Sequence, residues 1–370
     1  MALTLHGTVA DNTAVLSRPN PKPLIINGDM AVAQRATSVT AVGSTEGYIT
    51  VDRFNFNANG SPSARFTVTQ DSDVPAGYGF AKSSKLDCTT AQGSLGSDDF
   101  LTIEHRFEGQ DLQLLNKGTS NAEYVTFAFW VKTNKTGNYI FEIRDIDNNR
   151  IITQTYAVSS ANTWEKKVLS FVGDTTGALG NDNGHSFQVA WCLFAGTDFT
   201  SGTQRTSWAS RTNADRFVNQ VVNLADSTDN NFFITGIQME VGQFDANSIA
   251  PFQHESFGDN LSRCQRYCQV YGAYGNTMLG FGHTHNQTNV YRWGFPLGVE
   301  MRAAPTASLS GTNGFWNGAV GATAVLNTSY NKTDLVDIDC TCDTGGLVND
   351  QGRLTKLFMN TGTFTLTAEL

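Results

Sequence analysis

The stretch from Ile234 to Tyr271 changes its periodicity halfway, and this change constrains the fold more than any other feature of the chain. Its first part alternates, with Ile237, Met239 and Val241 on one side of an extended chain, which predicts a half-buried β-strand. After Pro251 the apolar residues follow the spacing of a helix. The apolar positions of this predicted helix are Phe257, Leu261, Cys264, Cys268 and Tyr271. A strand followed by a helix in this way indicates a junction between two domains.

The composition favours turn-rich β structure over helical bundles. Of the 370 residues, 35 are Gly and 24 are Phe, while only 16% are charged. Such a profile predicts short strands joined by tight turns. Because the length also allows two or three domains with buried cores, we predict an all-β chain of more than one domain.

The charge and the lengths of the apolar runs argue against two classes of function. A formal net charge of −9 has the wrong sign for a protein whose main task is to displace counterions from nucleic acid. No apolar run approaches the ~20 residues of a membrane helix, and residues 1–15 lack the basic start and apolar block of a signal peptide. We therefore expect no nucleic-acid partner, no membrane insertion and a protein that is made and kept soluble in the cytosol.

Short apolar segments separated by polar turns predict the strands. In residues 24–254 they suggest two packed sheets, with Asp147–Asn149 as the turn of a hairpin. The nine segments there are Ala64–Gln70, Lys85–Cys88, Phe100–Phe107, Tyr124–Lys132, Asn138–Asp145, Arg150–Val158, Trp164–Val172, Ser186–Ala195 and Asn231–Val241. In residues 273–370 the segments are Met278–Gly282, Asn289–Leu297, Thr306–Ser310, Ala319–Asn327, Leu335–Cys342 and Phe358–Ala368.

Four groups of sequence strings carry a resemblance to a known family. They are NGDMAVAQR with VDRF near the start, the segment from NTWEKK through GDTTG and NDNG to WCLFAG, the succession GIQMEVG, APFQH and SFGDNLSRCQRY, and finally FPLGVEMRAAPT. Together they resemble bacteriophage tail-fibre and receptor-binding proteins. In those proteins a jelly-roll domain is similar to carbohydrate-binding modules. The first three groups cover roughly Leu24 to Tyr271.

The resemblance implies an architecture and a location. We expect a jelly-roll β-sandwich at residues 24–254, a short linking helix at 255–272 and a smaller distal β domain at 273–370. Residues 1–23, which contain the proline-rich string RPNPKP, form an arm that we expect to attach to phage tail or baseplate proteins. The expected location is the virion.

The predicted helix also bears on assembly. Its apolar stripe spans about two heptads, which is too short for a stable isolated coiled coil. The helix therefore needs other surfaces to pack against. The resemblance implies that two further copies of the chain supply them, as a homotrimer.

Aromatic residues of the distal domain are the candidate glycan contacts, because a ring face stacks on a sugar while polar neighbours bind its hydroxyls. The candidates are Trp316, Phe315 and Tyr274. Trp316 lies in the glycine-flanked string GTNGFWNG, which predicts an exposed loop. Trp293, by contrast, lies on a predicted strand, and we expect it to be buried in the core.

The sequence offers no recognisable catalytic site. A glycosidase needs two carboxylates at a fixed separation, and sequence alone cannot place any pair of the available acids across a cleft. These acids are Asp98, Asp99, Glu104, Glu142, Asp145 and Asp147. There is also no G-x-S-x-G string of the kind that carries a nucleophilic serine. We therefore predict no catalytic residues and no cofactor.

Metal binding is not predicted either. Asp145 and Asp147 offer oxygens suited to calcium, but the glycine and distal glutamate of an EF-hand are missing. His283 and His285 would offer six imidazoles around a threefold axis, yet a single H-x-H string is equally typical of solvated histidines. None of the six cysteines forms a C-x-x-C pair, and Cys264 and Cys268 are expected to be small core residues.

These observations favour a non-enzymatic bacteriophage adhesin that recognises a polysaccharide on the host surface. Two alternatives remain open. One is a head fibre or capsid decoration protein, and the other is a glycan depolymerase of the glycoside hydrolase class.

Overall fold

The structure is a computed structural model that describes residues 22–43, 46–272, 277–284, 290–311, 313–316, 321–329, 331–342, 355–359 and 362–370. It divides into two compact units, one that ends at Phe257 and includes Leu370, and one that extends from Gly258 to Glu369. The predicted N-terminal arm lies almost entirely outside the described residues. Its role therefore stays a prediction.

The first unit is a jelly-roll β-sandwich, as predicted. Its strands are β1 (Ser38–Val42), β2 (Gly47–Tyr48), β3 (Phe54–Asn59), β4 (Arg65–Asp71), β5 (Ser83–Thr90), β6 (Phe100–Glu108), β7 (Val125–Thr133), β8 (Gly137–Asp145), β9 (Arg150–Val158), β10 (Glu165–Phe171), β11 (His185–Ala195), β12 (Ala209–Ser210) and β13 (Asn231–Val241). Short helical turns lie at Gly109–Leu115, Thr197–Thr200 (α1) and Asn213–Asp215.

The strands form two sheets in which neighbouring strands are antiparallel. The six-stranded sheet has the order β1-β4-β5-β13-β7-β10, and the seven-stranded sheet has the order β12-β9-β8-β11-β6-β3-β2. All nine predicted strands are present, with ends within two residues of the prediction. Four strands were not among the nine: β1, β2 and β12, which are short strands at sheet edges with few residues to show alternation, and β3, which lies between β6 and β2.

Aromatic side chains from both sheets fill the space between them. Phe127 and Phe129 of β7 meet Phe141 of β8, with ring centroids 5.0 and 5.8 Å apart. Trp191 of β11 lies 5.1 Å from Phe141 and 5.6 Å from Phe129, edge to face in both cases. Each such aromatic pair contributes about 0.5–1.5 kcal/mol beyond the apolar area that it buries.

The N-terminal string NGDM forms a compact hydrogen-bonded turn. The Asn27 side chain donates to the carbonyl oxygens of Val32 and Asp52, both at 2.9 Å, and accepts from the Val32 amide. The carbonyl oxygen of Gly28 accepts a hydrogen bond of 2.9 Å from the Ile237 amide of β13. The NGDM string near the start of the unit therefore meets the GIQMEVG string near its end, and the hydrogen bond between them stabilises the fold.

The second unit begins within helix α2 (Phe257–Gln265) and contains two β structures. A three-stranded sheet has the order β14 (Cys268–Tyr271), β22 (Thr363–Thr367) and β17 (Thr306–Ser310). A closed barrel has the order β15 (Thr277–Thr284), β16 (Val290–Pro296), β20 (Leu335–Cys342), β19 (Gly321–Ser329), β18 (Asn313–Trp316) and β21 (Thr355–Met359). Trp293 of β16 is 1% exposed, which confirms its predicted place in the core.

The predicted extent of the helix was wrong. Cys268 and Tyr271 lie on β14, where the backbone of Cys268 pairs with that of Thr367 in the three-stranded sheet. Phe257 is 60% exposed, so it is not part of a buried stripe. On α2 the buried residues are Asn260 and Cys264, while Leu261 is half-buried.

Two further predictions in the second unit need correction. Trp316 ends strand β18 and does not lie in a loop, since the NGFW part of the predicted loop string pairs with β19 and β21. The predicted strand Phe358–Ala368 is divided between β21 and β22, which belong to different β structures. Cys264 and Cys268 are buried with free thiols, as expected. Among the described residues, no helix is long and apolar enough to span a membrane.

We expect Gly28→Ala to destabilise the first unit by about 1–3 kcal/mol, the usual cost of overpacking. A Cβ atom at this position would lie 2.1 Å from the carbonyl oxygen of Ile237. Urea denaturation measures the free energy of unfolding. Gly93→Ala is the matched control, since a Cβ there meets nothing within 4 Å. Equal stability of the two variants would contradict the proposed close approach.

Candidate functional site

The candidate site lies on the side of the seven-stranded sheet that points away from the aromatic core. Along β6, Leu101 and Ile103 belong to the core, so the alternate residues Thr102, Glu104 and Arg106 point to the opposite side. Strand pairing places polar residues of β3, β8 and β11 beside them. We call this surface the polar face, and it comprises Asn55, Asn57, Thr102, Glu104, Arg106, Glu142, Arg144 and Gln188.

Two carboxylates hold fixed positions on the polar face. Ala190 of β11 pairs with Glu104 on one side and with Glu142 on the other. Both Glu side chains are fully buried. Glu142 accepts two parallel hydrogen bonds of 2.8 Å from Arg216. Such bidentate pairs fix geometry as well as charge.

The Glu104 carboxylate is held by four side chains. It accepts from Asn57 at 2.8 Å, from the Thr102 hydroxyl at 3.1 Å, from Arg106 at 2.9 Å and from Asn55 at 3.4 Å. Arg106 also pairs with Glu46. Both carboxylates therefore have protein partners, which suits them to ordering the surface.

The neighbouring row of the polar face differs, because it contains donors without partners. Gln188 lies between Arg106 and Arg144 in the sheet and is only 2% exposed, yet its Nε2 atom has no acceptor among the described residues. The Nε atoms of Arg144 and Arg211 are likewise buried without an acceptor in the described chain. Native proteins pair most buried polar groups, so a cluster of exceptions suggests a functional surface.

Positive charge accumulates around this row. Burial lowers the pKa of the Arg144 guanidinium, the Glu142 carboxylate opposes this shift, and repulsion from Arg216 and Arg106 adds to it. Burial, together with repulsion from Arg144 and Arg216, lowers the pKa of Arg211 to about 10. For His185 at the start of β11, burial and then Arg106 and Arg144 lower the pKa to about 3. The imidazole is therefore neutral at pH 7.

An apolar cluster lies at one end of the seven-stranded sheet, on the same side as the polar face. Phe100 of β6 contacts Phe199 of α1 and Phe217, with ring centroids 4.8 and 5.8 Å apart. The guanidinium carbon of Arg216 lies 4.9 Å from the centroid of the Phe100 ring and 4.6 Å from that of Phe217. Arg216 therefore marks the boundary between the apolar cluster and the polar face.

The six-stranded sheet carries a second distinctive surface, which we call the aromatic patch. Tyr78 is 53% exposed, and its ring centroid lies 4.4 Å from that of Trp130. Nearby, the Lys132 ammonium lies 4.3 Å from the centroid of the Phe233 ring. In the same patch, the Trp164 indole donates a hydrogen bond of 3.0 Å to the Asp73 carboxylate. Lys132, Asp73 and Trp164 therefore bind one another within the patch.

The Asp145 carboxylate, considered above for calcium, faces a lysine. The Lys117 ammonium is buried against Asp145 and lies 3.1 Å from Asp174. It also donates to the carbonyl oxygens of Thr176 and Gly177, at 3.0 and 2.8 Å. A protein cation thus occupies this oxygen cage.

Asp147 and the turn after it stabilise the hairpin formed by β8 and β9. Asp147 accepts from the Gly180 amide at 2.8 Å, and Asn149 adopts the left-handed backbone conformation, with φ of 51°. This agrees with the predicted turn. Among the described residues, no group of His, Cys, Asp and Glu side chains could hold a metal ion.

The predicted contact residues of the distal domain stay predictions. Phe315 and Trp316 lie on β18 and His283 lies on β15, with side chains outside the described structure. Tyr274 and His285 are outside the described residues altogether. The structure instead draws attention to the polar face, of which sequence reasoning named only Glu104 and Glu142, as acids available to a glycosidase. Its only sequence signals were T-x-E-x-R in β6 and E-x-R in β8.

Comparison with known proteins gives only remote likeness. No protein-family model and no curated sequence matches the chain. The family 11 carbohydrate-binding module of Clostridium thermocellum Lic26A-Cel5E is 10% identical, with 55% of this chain and 95% of that chain covered and a TM-score of 0.27. The CBM22-2 xylan-binding domain of Paenibacillus barcinonensis Xyn10C is 12% identical, with 50% and 91% covered and a TM-score of 0.25.

A bacteriophage structure shows likeness of the same degree. The enzymatically active domain of bacteriophage CBA120 tailspike protein 4 is 12% identical, with a TM-score of 0.30 and 59% of this chain covered. The match spans only 21% of that chain. TM-scores at this level support no conclusion about what this chain binds or does.

Lys117→Met should destabilise the first unit by about 3–5 kcal/mol, because the buried Asp145 carboxylate would lose its cation and Asp174 would keep only Arg150. Thermal or urea unfolding of the purified chain measures the effect. In the control, Lys135→Met removes a half-exposed partner of Asp226, and such surface pairs contribute about 0–1 kcal/mol. A loss at Lys117 no larger than the loss at Lys135 would show that the cage is not a stabilising element.

His185 should make stability fall in mild acid. Its pKa of about 3 in the folded chain lies below the ordinary value of 6.5. Between these two pH values the imidazole binds a proton in the unfolded chain but not in the folded chain. Stability is then lost as the pH falls from 6.5 towards 3, by up to about 1.4 kcal/mol per pH unit. Urea unfolding between pH 7.5 and 4.5 should give a shallower slope for His185→Asn than for the wild type. Identical slopes would contradict this role.

Proposed function

We propose that the chain is a glycan-binding adhesin of a bacteriophage tail fibre and that it binds its glycan on the polar face. In this proposal the protein has no catalytic activity and needs no cofactor. A homotrimer attaches to phage tail or baseplate proteins through residues 1–23 and recognises a polysaccharide on the host surface.

The polar face carries this proposal. Sugars present hydroxyl groups that both donate and accept hydrogen bonds, and planar amide, carboxylate and guanidinium groups bind them in pairs. The fully buried Glu104 carboxylate holds the half-buried Asn57 and Arg106 side chains in place, so these groups are ordered before a ligand arrives. Preorganisation of this kind lowers the entropic cost of binding.

The unpaired amide of Gln188 adds a second reason. That donor is buried without an acceptor, which costs free energy, and a ligand that supplies the acceptor must displace the half-buried Arg106 or Arg144 side chain beside it. The aromatic patch lacks this feature, because Lys132, Asp73 and Trp164 bind one another. We therefore assign glycan binding to the polar face in preference to the aromatic patch.

The phage assignment rests on the sequence strings described above. Trimerisation would multiply weak individual contacts, since several copies on one particle bind a polysaccharide together. The half-exposed and exposed positions of α2, including Phe257, leave surface for such contacts. A head fibre or capsid decoration protein would share these features and differ in the virion protein to which residues 1–23 attach.

A glycan depolymerase is the alternative from another class. Glu104 and Glu142 would be its carboxylates, because they flank Ala190 on adjacent rows. Their arginine, amide and hydroxyl partners favour a structural role. Release of oligosaccharide from the bound polysaccharide would establish this alternative and contradict the proposal of a pure adhesin.

The test is binding of the purified full chain to an array of bacterial surface polysaccharides, followed by titration calorimetry. We expect binding without cleavage, and a loss of at least about tenfold, or 1.4 kcal/mol, in Gln188→Ala. Light scattering on the same sample should give three times the chain mass of 40.1 kDa.

Tyr78→Ala on the aromatic patch is the matched control and should bind like the wild type. Binding that survives in Gln188→Ala but is lost in Tyr78→Ala would move the site to the aromatic patch. A chain that binds no polysaccharide on the array would contradict the proposed function.

A further inference from the structure

We propose that Lys117 and Asp145 join in a covalent amide bond once the first unit has folded, with Asp174 as the base that moves the protons. The amide ties the turn after β6 to the end of β8, and it forms whether or not the chain binds a glycan. Three properties of the cage around Lys117 support this bond. They are the contact between an amine and a carboxyl group, a second carboxylate on the same amine, and the exclusion of water.

The Lys117 side chain brings its nitrogen to the Asp145 carboxyl group inside the fold. Its Nζ atom contacts Asp145 Oδ2, and the adjacent atom Cγ is the carbon that the nitrogen attacks. The carbonyl oxygens of Thr176 and Gly177 accept from Nζ at 3.0 and 2.8 Å and fix its position. Groups held together in this way react far faster than the same groups free in solution, because folding has already paid the entropy of bringing them together.

Asp174 supplies a second carboxylate to the same nitrogen. Its Oδ2 atom lies 3.1 Å from Lys117 Nζ. Burial alone would raise the pKa of Asp174, but hydrogen bonds from Arg150, the Thr176 amide and Lys117 lower it below its ordinary value. Asp174 is therefore ionised and accepts a proton from the ammonium, which leaves a neutral amine as the nucleophile.

Asn148 holds the carboxyl group that is attacked. Its backbone N–H and its side-chain amide donate to Asp145 Oδ1 at 3.0 and 3.2 Å, and the side-chain amide also donates to Oδ2 at 2.9 Å. As the nitrogen attacks, negative charge grows on the oxygen that stays, and donors fixed at that oxygen stabilise it. Oδ1 takes this role, and Oδ2, which faces Lys117, is the oxygen that leaves.

The atoms and charges balance without any further reagent. The Lys117 ammonium begins with three hydrogens on Nζ, and Asp145 begins as a carboxylate. The Nζ–Cγ bond forms and the Cγ–Oδ2 bond breaks. Two of the three hydrogens pass by way of Asp174 to Oδ2, which departs as water, and Asp174 ends as a carboxylate, as it began. The third hydrogen stays on the amide nitrogen, where it can donate to a carbonyl oxygen of the cage.

Burial favours the amide over the ion pair. The side chains of Lys117, Asp145 and Asp174 are 4%, 0% and 3% exposed, and the centroid of the Trp208 ring lies 5.5 Å from Nζ. A buried ion pair keeps a desolvation cost that a neutral group of similar shape does not have. The same burial keeps out the water that would hydrolyse the amide.

Other lysine–carboxylate pairs of the described chain lack this environment. Lys85, Lys132, Lys135 and Lys167 form ion pairs in which both side chains are at least 13% exposed. Water reaches these groups, so we expect them to remain ion pairs. The pair of Lys135 with Asp226, in which each side chain is 33% exposed, serves as the internal control.

Mass spectrometry of the purified full chain under denaturing conditions tests the bond. We expect the chain to be lighter than its sequence by one water molecule. A protease digest should yield two peptides joined between Lys117 and Asp145, whereas the peptides that contain Lys135 and Asp226 should be recovered separately.

Two variants test the roles of the groups. Lys117→Arg keeps a cation in the cage but lacks the reactive amine, and Asp174→Asn lacks the base. Both should show their full mass, and circular dichroism shows whether each is folded. The mass of the wild-type chain decides whether the bond exists even if neither variant folds.

The opposite results have defined meanings. A folded wild-type chain with its full mass would overturn the proposed bond, and the cage would then be an ion pair only. Loss of water confined to a single peptide, as in a cyclic imide of aspartate, would overturn it as well, because no second segment is joined. A folded Asp174→Asn chain that still forms the bond would overturn the role of Asp174 as the base.

Discussion

The first unit depends on the close approach of two backbones at β13, where the Ile237 amide donates to the carbonyl oxygen of Gly28. β13 lies between β5 and β7 in the six-stranded sheet, and its pairing with β7 shifts between Thr235 and Gln238. This bulge interrupts the ladder and frees the Ile237 amide for a partner outside the sheet. The NGDM turn supplies that partner, so the first residues of the unit are joined to its last strand.

Sequence alone was sufficient for most of the first unit. Long strands such as β9 and β13 were placed with the correct ends, because β9 alternates between a core side and an opposite side along its length and β13 does so on each side of its bulge. The helix was extended too far because Cys268 and Tyr271 continued a three- and four-residue spacing by coincidence. Their pairing with β22 involves residues about a hundred positions away, a contact that no local pattern reveals.

The polar face could not be predicted for the same reason. Arg106, Arg144 and Gln188 become neighbours only through the register of three strands, and Arg216 reaches Glu142 across 74 residues of sequence. The strings that carry family resemblance instead build the scaffold. Asn27 organises a turn, and Asp174 binds Lys117 and Arg150. Apart from Gln188, which lies between the NDNG and WCLFAG strings, the polar face is built by other parts of the chain than those that carry the resemblance.

The cage around Lys117 does not depend on ions from the medium. Four oxygens from Asp145, Asp174, Thr176 and Gly177 surround an ammonium that is covalently part of the chain. Dilution cannot remove this cation, and a chelator cannot extract it. The loop that carries the GDTTG string is thus complete as soon as the polypeptide folds, whatever the mineral content of the medium.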